Sequence, residues 1–330
     1  MSLTIRACKN TEDLEKFAKN TYELSLLQFP FSFKREHWIV EKDSKQVGRI
    51  SANLSTSDPL RGYLGFYLTE LNETDRAQIS SLLLSTAETW LKEQGVKQVY
   101  GPVNYSTWFS YRFQTETEYI HPAQDPQFEW EPAYAPEYFS DWEKNAYLEA
   151  DHYHTKAFGK ISETIQPTEA SYDRLVSEGF SMRQIDLRNF PERELAAITK
   201  INQQSFSDKF LVEPIDPIAF QKLYAAPLLK HISHLSIFIL DPEQKEIGYC
   251  FSFVDQGYFV WKTMAVMKEF QGKSLASAAI HYSLKLAEKE GVNDMVTALI
   301  REGAQSEVLL KKFPYHQWTH HYRLLKKELK

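Results

Sequence analysis

The chain has 330 residues, 43% hydrophobic and 25% charged, with a net charge of −6, the profile of a folded globular protein of about two domains. The acidic balance argues against a nucleic-acid partner. Two cysteines, Cys8 and Cys250, exclude a disulfide framework or a cysteine-rich zinc site. No apolar run is long enough to span a bilayer and no apolar leader opens the chain, so the expectation is a cytoplasmic protein with no membrane partner.

The first elements are read from periodicity. Residues 11–27 open with Thr11 and early acids and predict a helix. His37–Val40 and Val47–Leu54 predict a hairpin around a polar turn, and Gly62–Leu68 a third strand. Residues 75–94 predict a helix with Ile79, Leu82, Leu83 and Trp90 on one face and Gly95 as its stop. Val96–Tyr100 predicts a strand that enters the turn Gly101-Pro-Val-Asn-Tyr-Ser106, which either shapes a cavity or only redirects the chain.

Residues 112–137 form a long, acidic, aromatic stretch that holds Pro122, Pro126, Pro132 and Pro136; a loop of this length is usually functional or self-packed. Residues 138–144 predict a helix and 148–158 one or two strands. Residues 161–178 read as a connection with a helix near 170–177. A second series follows: a helix over 191–204, a hairpin from 235–240 and 247–253, a strand over 258–267, a helix over 274–290 and a strand over 292–300. A short helix over 305–312 and a terminal strand over 318–325 complete it.

The two series repeat. Trp38–Gly48 aligns without gaps on Phe238–Gly248, and Lys92–Val96 aligns on Glu288–Val292, in the same order along the chain. Within the second copy, the strand ending Met264-Ala265-Val266 leads into Gln271-Gly272-Lys273-Ser274-Leu275-Ala276. A helix follows with Leu275, Ala278, Ala279, Tyr282 and Leu286 on one face. A turn of small residues at a helix start presents unpaired N–H groups and the positive end of the helix dipole, which suits a phosphate or diphosphate. Taken alone, it is also an ordinary strand–helix connection.

The order of elements, the motif Val266…Gln271–Ala276 and the segment Ser306…Leu309–Tyr315 together resemble the GNAT superfamily of acyl-CoA-dependent N-acyltransferases, in tandem form. The resemblance implies an α/β fold of two GNAT-like domains, 1–160 and 161–330, each a mixed, mostly antiparallel sheet flanked by helices. It also implies acetyl-CoA or another acyl-CoA as co-substrate. Backbone groups of Met264, Ala265 and Val266 would meet the pantetheine, and Gln271, Gly272, Lys273, Ser274, Leu275 and Ala276 the diphosphate. The acceptor would be the amine of a small molecule or peptide.

Ser274 stands where the family has glycine. Leu310, and Trp142 in the first copy, stand where the family often has a tyrosine that protonates the departing thiolate. Asp75, Arg76 and Gln78 occupy the first copy's turn, where an acid and longer side chains disfavour a diphosphate, so the first domain is expected to be degenerate. An inactive CoA-binding or interaction protein of the same fold is the alternative. A Fem-type aminoacyl transferase ranks below both, for want of a helical arm or basic tRNA surface. The catalytic base is open among Asp255, Tyr258 and Glu302. His152-Tyr-His154 and His320-His321 are expected at the surface.

Overall fold

Two asparagines set the first helices. The Asn10 side chain accepts from the Asp13 amide and the Asn20 side chain from the Glu23 amide, capping Thr11–Phe17 and Thr21–Gln28. The sequence predicts one helix over 11–27. The chain instead leaves the helix at Ala18, whose backbone is extended, and restarts after Asn20. This computed structural model describes residues 3–121, 127–128, 131–132, 134–225 and 235–330.

The strands are β1 (Leu3–Ala7), β2 (Arg35–Lys42), β3 (Lys45–Leu54), β4 (Arg61–Thr69), β5 (Gln98–Gly101), β6 (Phe113–Tyr119), β7 (Leu148–Phe158), β8 (Ser181–Gln184), β9 (Ile237–Leu240), β10 (Glu246–Asp255), β11 (Tyr258–Val266), β12 (Asp294–Arg301) and β13 (His316–Glu328). They form one sheet in the order β1-β2-β3-β4-β5-β13-β7-β12-β11-β10-β9-β8, with β6 paired to β13. The neighbours β4–β5 and β11–β12 are parallel and the other pairs antiparallel. The two halves of the sequence thus give two lobes built alike.

At the centre the lobes trade strands. β5 of the first lobe pairs with β13 from the end of the chain, and β12 of the second lobe pairs with β7, which precedes residue 160. β7 and β13 pair with each other from His316↔Phe158 to Lys326↔Leu148. The sheet therefore runs unbroken through both lobes.

One face of each lobe is covered by a long helix after its fourth strand. Arg76–Glu93 buries Ile79, Leu83, Leu84 and Ala87 in a core shared with Trp142. Leu275–Lys289 buries Leu275, Ala278 and Ala279, with Tyr282 and Leu286 half-buried at the same core, as the spacing predicts. On the other face, Pro191–Phe206 covers the second lobe, and the paired helices Thr11–Phe17 and Thr21–Gln28 cover the first.

Strands β1, β6 and β8 are not anticipated from sequence. β1 and β8 are five- and four-residue edge strands with no fully buried position, so they carry no alternation between core and solvent. β6 lies within the stretch expected to be a loop; that loop's Pro122, Pro126 and Trp130 lie outside the described residues.

Candidate functional site

In the second lobe β11 and β12 stay paired only from Tyr258↔Asp294 to Trp261↔Thr297. Beyond Trp261 they part. A bulge between Phe251 and Ser252 on the β10–β11 pairing leaves Lys262 as the extra residue on β11. On β12, the register to β7 shifts between Thr297 and Ile300, with Leu299 at a φ of 59°. The two bulges turn the strands away from each other. Met264, Ala265 and Val266 keep their bonds to β10 on one edge, and among the described residues no strand pairs with their other edge.

This open edge leads into the turn. Gly272 and Ser274 both adopt left-handed backbone, with φ of 81° and 65°. Ser274 is the N-cap of Leu275–Lys289, yet its side chain makes no capping bond, and Gln271 through Ser274 are exposed. The amides of the helix's first turn have no intrahelical acceptor. The Gln271 side-chain amide donates to the carbonyl of Val266 (2.9 Å), bracing the turn against the strand end. Arg174, from the helix Gln166–Ser177, donates to the carbonyl of Lys273 (2.9 Å). That guanidinium lies 99 residues away in sequence, and nothing in the local pattern marks it.

The first lobe has the same divergence, but it is filled. β4 and β5 pair from Arg61↔Gln98 to Tyr63↔Tyr100, then part. The Val103 amide donates to the Leu64 carbonyl (2.7 Å), and the Asn104 side-chain oxygen accepts from the Phe66 amide (2.6 Å). The segment Gly101–Ser106 therefore lies along β4 in the place left open in the second lobe, and its Tyr105 and Ser106 also line a cavity. At its turn, Lys42 pairs with Glu73 (2.8 Å) and Asp75 (2.9 Å). Contact between the filler and β4 is close: a Cβ built on Gly65 would sit 2.1 Å from the Val103 carbonyl oxygen. Gly65→Ala is therefore expected to cost about 3 kcal/mol or more, through forced separation of two main chains. Urea unfolding checks this; a midpoint like the wild type's would mean that the segment moves aside freely.

Leu310 lies at the end of the helix Gln305–Leu310 with its side chain in the second-lobe core, and Trp142 is fully buried in the first. Neither offers a proton. Asp255 ends β10 and Tyr258 opens β11, before the strands part, and Tyr258 is buried. Glu302 follows the end of β12, on the side towards which β11 also runs, with its carboxylate 3.3 Å from His152 Nδ1.

The histidine expectations need correction. His154 is buried, 3.5 Å from Glu307, and His320 is fully buried, its Nδ1 2.7 Å from Glu131. Tyr322 donates to the same Glu131 oxygen, and the His320 ring stacks on Trp318. At His320 strand β13 is flanked by β6 (His320↔Thr117) and β7 (His320↔Thr155), and the ring itself is covered by Trp318 and Glu131. His152 is half-exposed, as expected.

A strap from the second half, ending in Glu213, holds the lobes together. Its carboxylate accepts from Ser55 Oγ (2.6 Å), Thr56 N and Oγ1 (3.0 and 2.7 Å), Ser57 N (3.0 Å) and Tyr63 OH (2.6 Å). Trp108 Nε1 donates to the Glu213 carbonyl (2.8 Å). Nearby, a cavity of about 470 Å³ opens against Phe31, Phe33, Tyr105 and Phe109.

Comparison with solved structures gives the fold. The chain matches a tandem GNAT protein from the clavulanic acid biosynthesis pathway at 13% identity and TM-score 0.56, covering 100% of this chain and 99% of that one. A GCN5-related N-acetyltransferase from Sphaerobacter thermophilus matches at 13% identity and TM-score 0.53, covering 99% and 96%. The glucosamine N-acetyltransferase region of a fungal multi-domain GH3 β-N-acetylglucosaminidase matches at 12% identity and TM-score 0.61. That match covers 99% of this chain, which spans 38% of the longer fungal one. No family model and no curated protein matches the sequence. The fold is thus that of the GCN5-related N-acetyltransferases in tandem form, as the resemblance implies.

Proposed function

We propose that the chain is an N-acyltransferase that takes its acyl group from acetyl-CoA or another acyl-CoA and passes it to an amine. The observation that carries this reading is the asymmetry of the lobes. The second keeps an open strand edge running into an exposed left-handed turn, and the first has its own chain in that place. Residues 1–160 are then a degenerate acyl-CoA domain that serves as a wall, and 161–330 the working one. No described helix is long and apolar enough to cross a membrane.

An acyl-CoA supplies an activated thioester and a diphosphate. Backbone groups of Met264, Ala265 and Val266 are available to bond its pantetheine arm, and the amides from Gly272 to Ala276 to bond the diphosphate, with Lys273 and Arg174 adding positive charge. The chain's own contribution is alignment. The parted strands hold a thioester between two walls and leave one approach for a neutral amine. A thiolate is a good leaving group near neutral pH, so the absence of an acid at Leu310 is compatible with turnover.

The alternative, an inactive acyl-CoA-binding protein, draws on the same buried Leu310. Two measurements separate these readings. Calorimetry with acetyl-CoA and with longer acyl-CoAs is expected to show saturable, one-to-one binding; no heat with any of them overturns both. Thiol release with a panel of amines is expected to exceed the amine-free rate. Binding without release for every amine favours the inactive protein.

A further inference from the structure

Two cations flank the point where β11 and β12 part, and among the described residues neither is ion-paired with an acid. Lys262 is the bulge residue on β11, one position past the last strand pair, and is half-buried. Across the gap, Arg112 donates from Nη1 to the carbonyl of Leu299, the left-handed residue in the bulge of β12 (3.3 Å). Its guanidinium lies over the rings of Tyr111 (3.6 Å) and Tyr153 (4.1 Å) and is 3% exposed. Its other recorded bond goes from Nε to the Tyr111 carbonyl (3.2 Å).

Among the described residues, neither cation has a carboxylate within ion-pair distance, and Lys262 has no hydrogen-bond partner. Asp151 is paired with Arg301 (2.6 Å) and Glu302 with His152, while Glu131 holds His320 and Tyr322 through Oε1 and keeps a buried Oε2 without a partner, beyond ion-pair distance of either cation. Burial and the field of Arg112 push the Lys262 ammonium down to about 8. Charges taken out of water are ordinarily paired, so two cations flanking one gap without an ion-paired acid leave a place for an anion.

We propose that Lys262 and Arg112 form a binding site for a carboxylate carried by the acceptor, so that the acceptor is an amine that is also a carboxylic acid. This rests on the acyltransferase reading, because the second-lobe cleft would hold the neutral thioester end of the donor and leaves the anion to the other substrate. Its chemistry also suits the reaction. The two cations draw the carboxylate in and repel an ammonium, which favours the acceptor nitrogen in its neutral, attacking form.

The site is tested on the wild-type chain by trace acetylation with acetic anhydride at pH 8. The labelling of each lysine is read by mass spectrometry in propionate, in propionamide and in chloride of matched ionic strength. Lys262 labelling is expected to fall about fivefold in propionate alone, since a bound anion raises the ammonium's pKa and covers it. In Arg112→Gln, provided its melting temperature shows a folded chain, the protection is expected to weaken. Equal labelling of wild-type Lys262 in propionate and propionamide overturns the site, whatever the variant does. Acetyl-CoA calorimetry on the same sample keeps the two ideas apart. Heat without protection removes the carboxylate site alone; protection without heat supports the site and removes the acyl-CoA reading.

Discussion

Ser274→Asp is expected to weaken acetyl-CoA binding about 50-fold while leaving the fold intact. Position 274 has a left-handed backbone at the N-cap of Leu275–Lys289. Aspartate tolerates that conformation better than most residues, is a preferred N-cap and is favoured by the helix dipole. The free protein should therefore melt at the wild-type temperature or slightly higher. A diphosphate held by the same amides would meet a carboxylate at about 5 Å. At an effective dielectric of about 20 this repulsion is about 3 kcal/mol, or two decades of affinity, part of which salt screens. Ser274→Gly should do the reverse: it removes the strain of a left-handed serine, worth about 1 kcal/mol, and lets the ligand approach the backbone. Calorimetry on the three proteins decides. Wild-type affinity in Ser274→Asp would mean that no diphosphate sits on this turn.

Glu213→Ala is expected to destabilise the protein by about 3 kcal/mol, mostly by leaving the donors of Ser55, Thr56, Ser57 and Tyr63 without their shared acceptor. The same carboxylate makes stability depend on acid. Burial pushes its pKa up, but the bonds from Ser55, Tyr63, Thr56 and Ser57 outweigh burial and bring it below the ordinary 4.5. A depressed folded-state value means that the stabilisation is complete above about 4.5 and is lost as pH falls through the folded value. Urea midpoints measured from pH 6 downwards should therefore fall in the wild type. In Glu213→Gln they should fall less steeply, from a lower start. Parallel curves for the two proteins would show that Glu213 is not the group responsible.

Much of the fold is legible in the sequence because its signals are local or repeated. The helix over 275–289 follows from the spacing of Leu275, Ala278 and Ala279. The tandem form follows from two stretches that match in order. The candidate turn is legible for the same reason, being six consecutive residues. Features made by the exchange of strands are not legible. Whether His320 faces solvent depends on what packs over its side of β13, here Trp318 and Glu131, and a strand's alternation says nothing of that. Nor does any local pattern bring Arg112 to Leu299, 187 positions apart, or show that Val103 and Asn104 fill the gap beside β4. Lys262 passes as one polar residue in an apolar strand until the bulge is seen.

The strand exchange at the centre also sets an order of events during synthesis. The edge of β5 is closed by Leu325↔Gly101 through Glu328↔Gln98, more than 220 residues later in the chain. Until the ribosome has released residues 316–328, a nearly complete first lobe carries an open strand edge beside the apolar surface of Val99 and Tyr100, the kind of surface on which nascent chains associate. The pairing of β12 waits for nothing, since β7 is already made when β12 emerges; only the far edge of β7 is left for β13. The lobe built first is therefore finished only with β13, and a chain stalled before residue 316 would expose that edge for as long as the stall lasts.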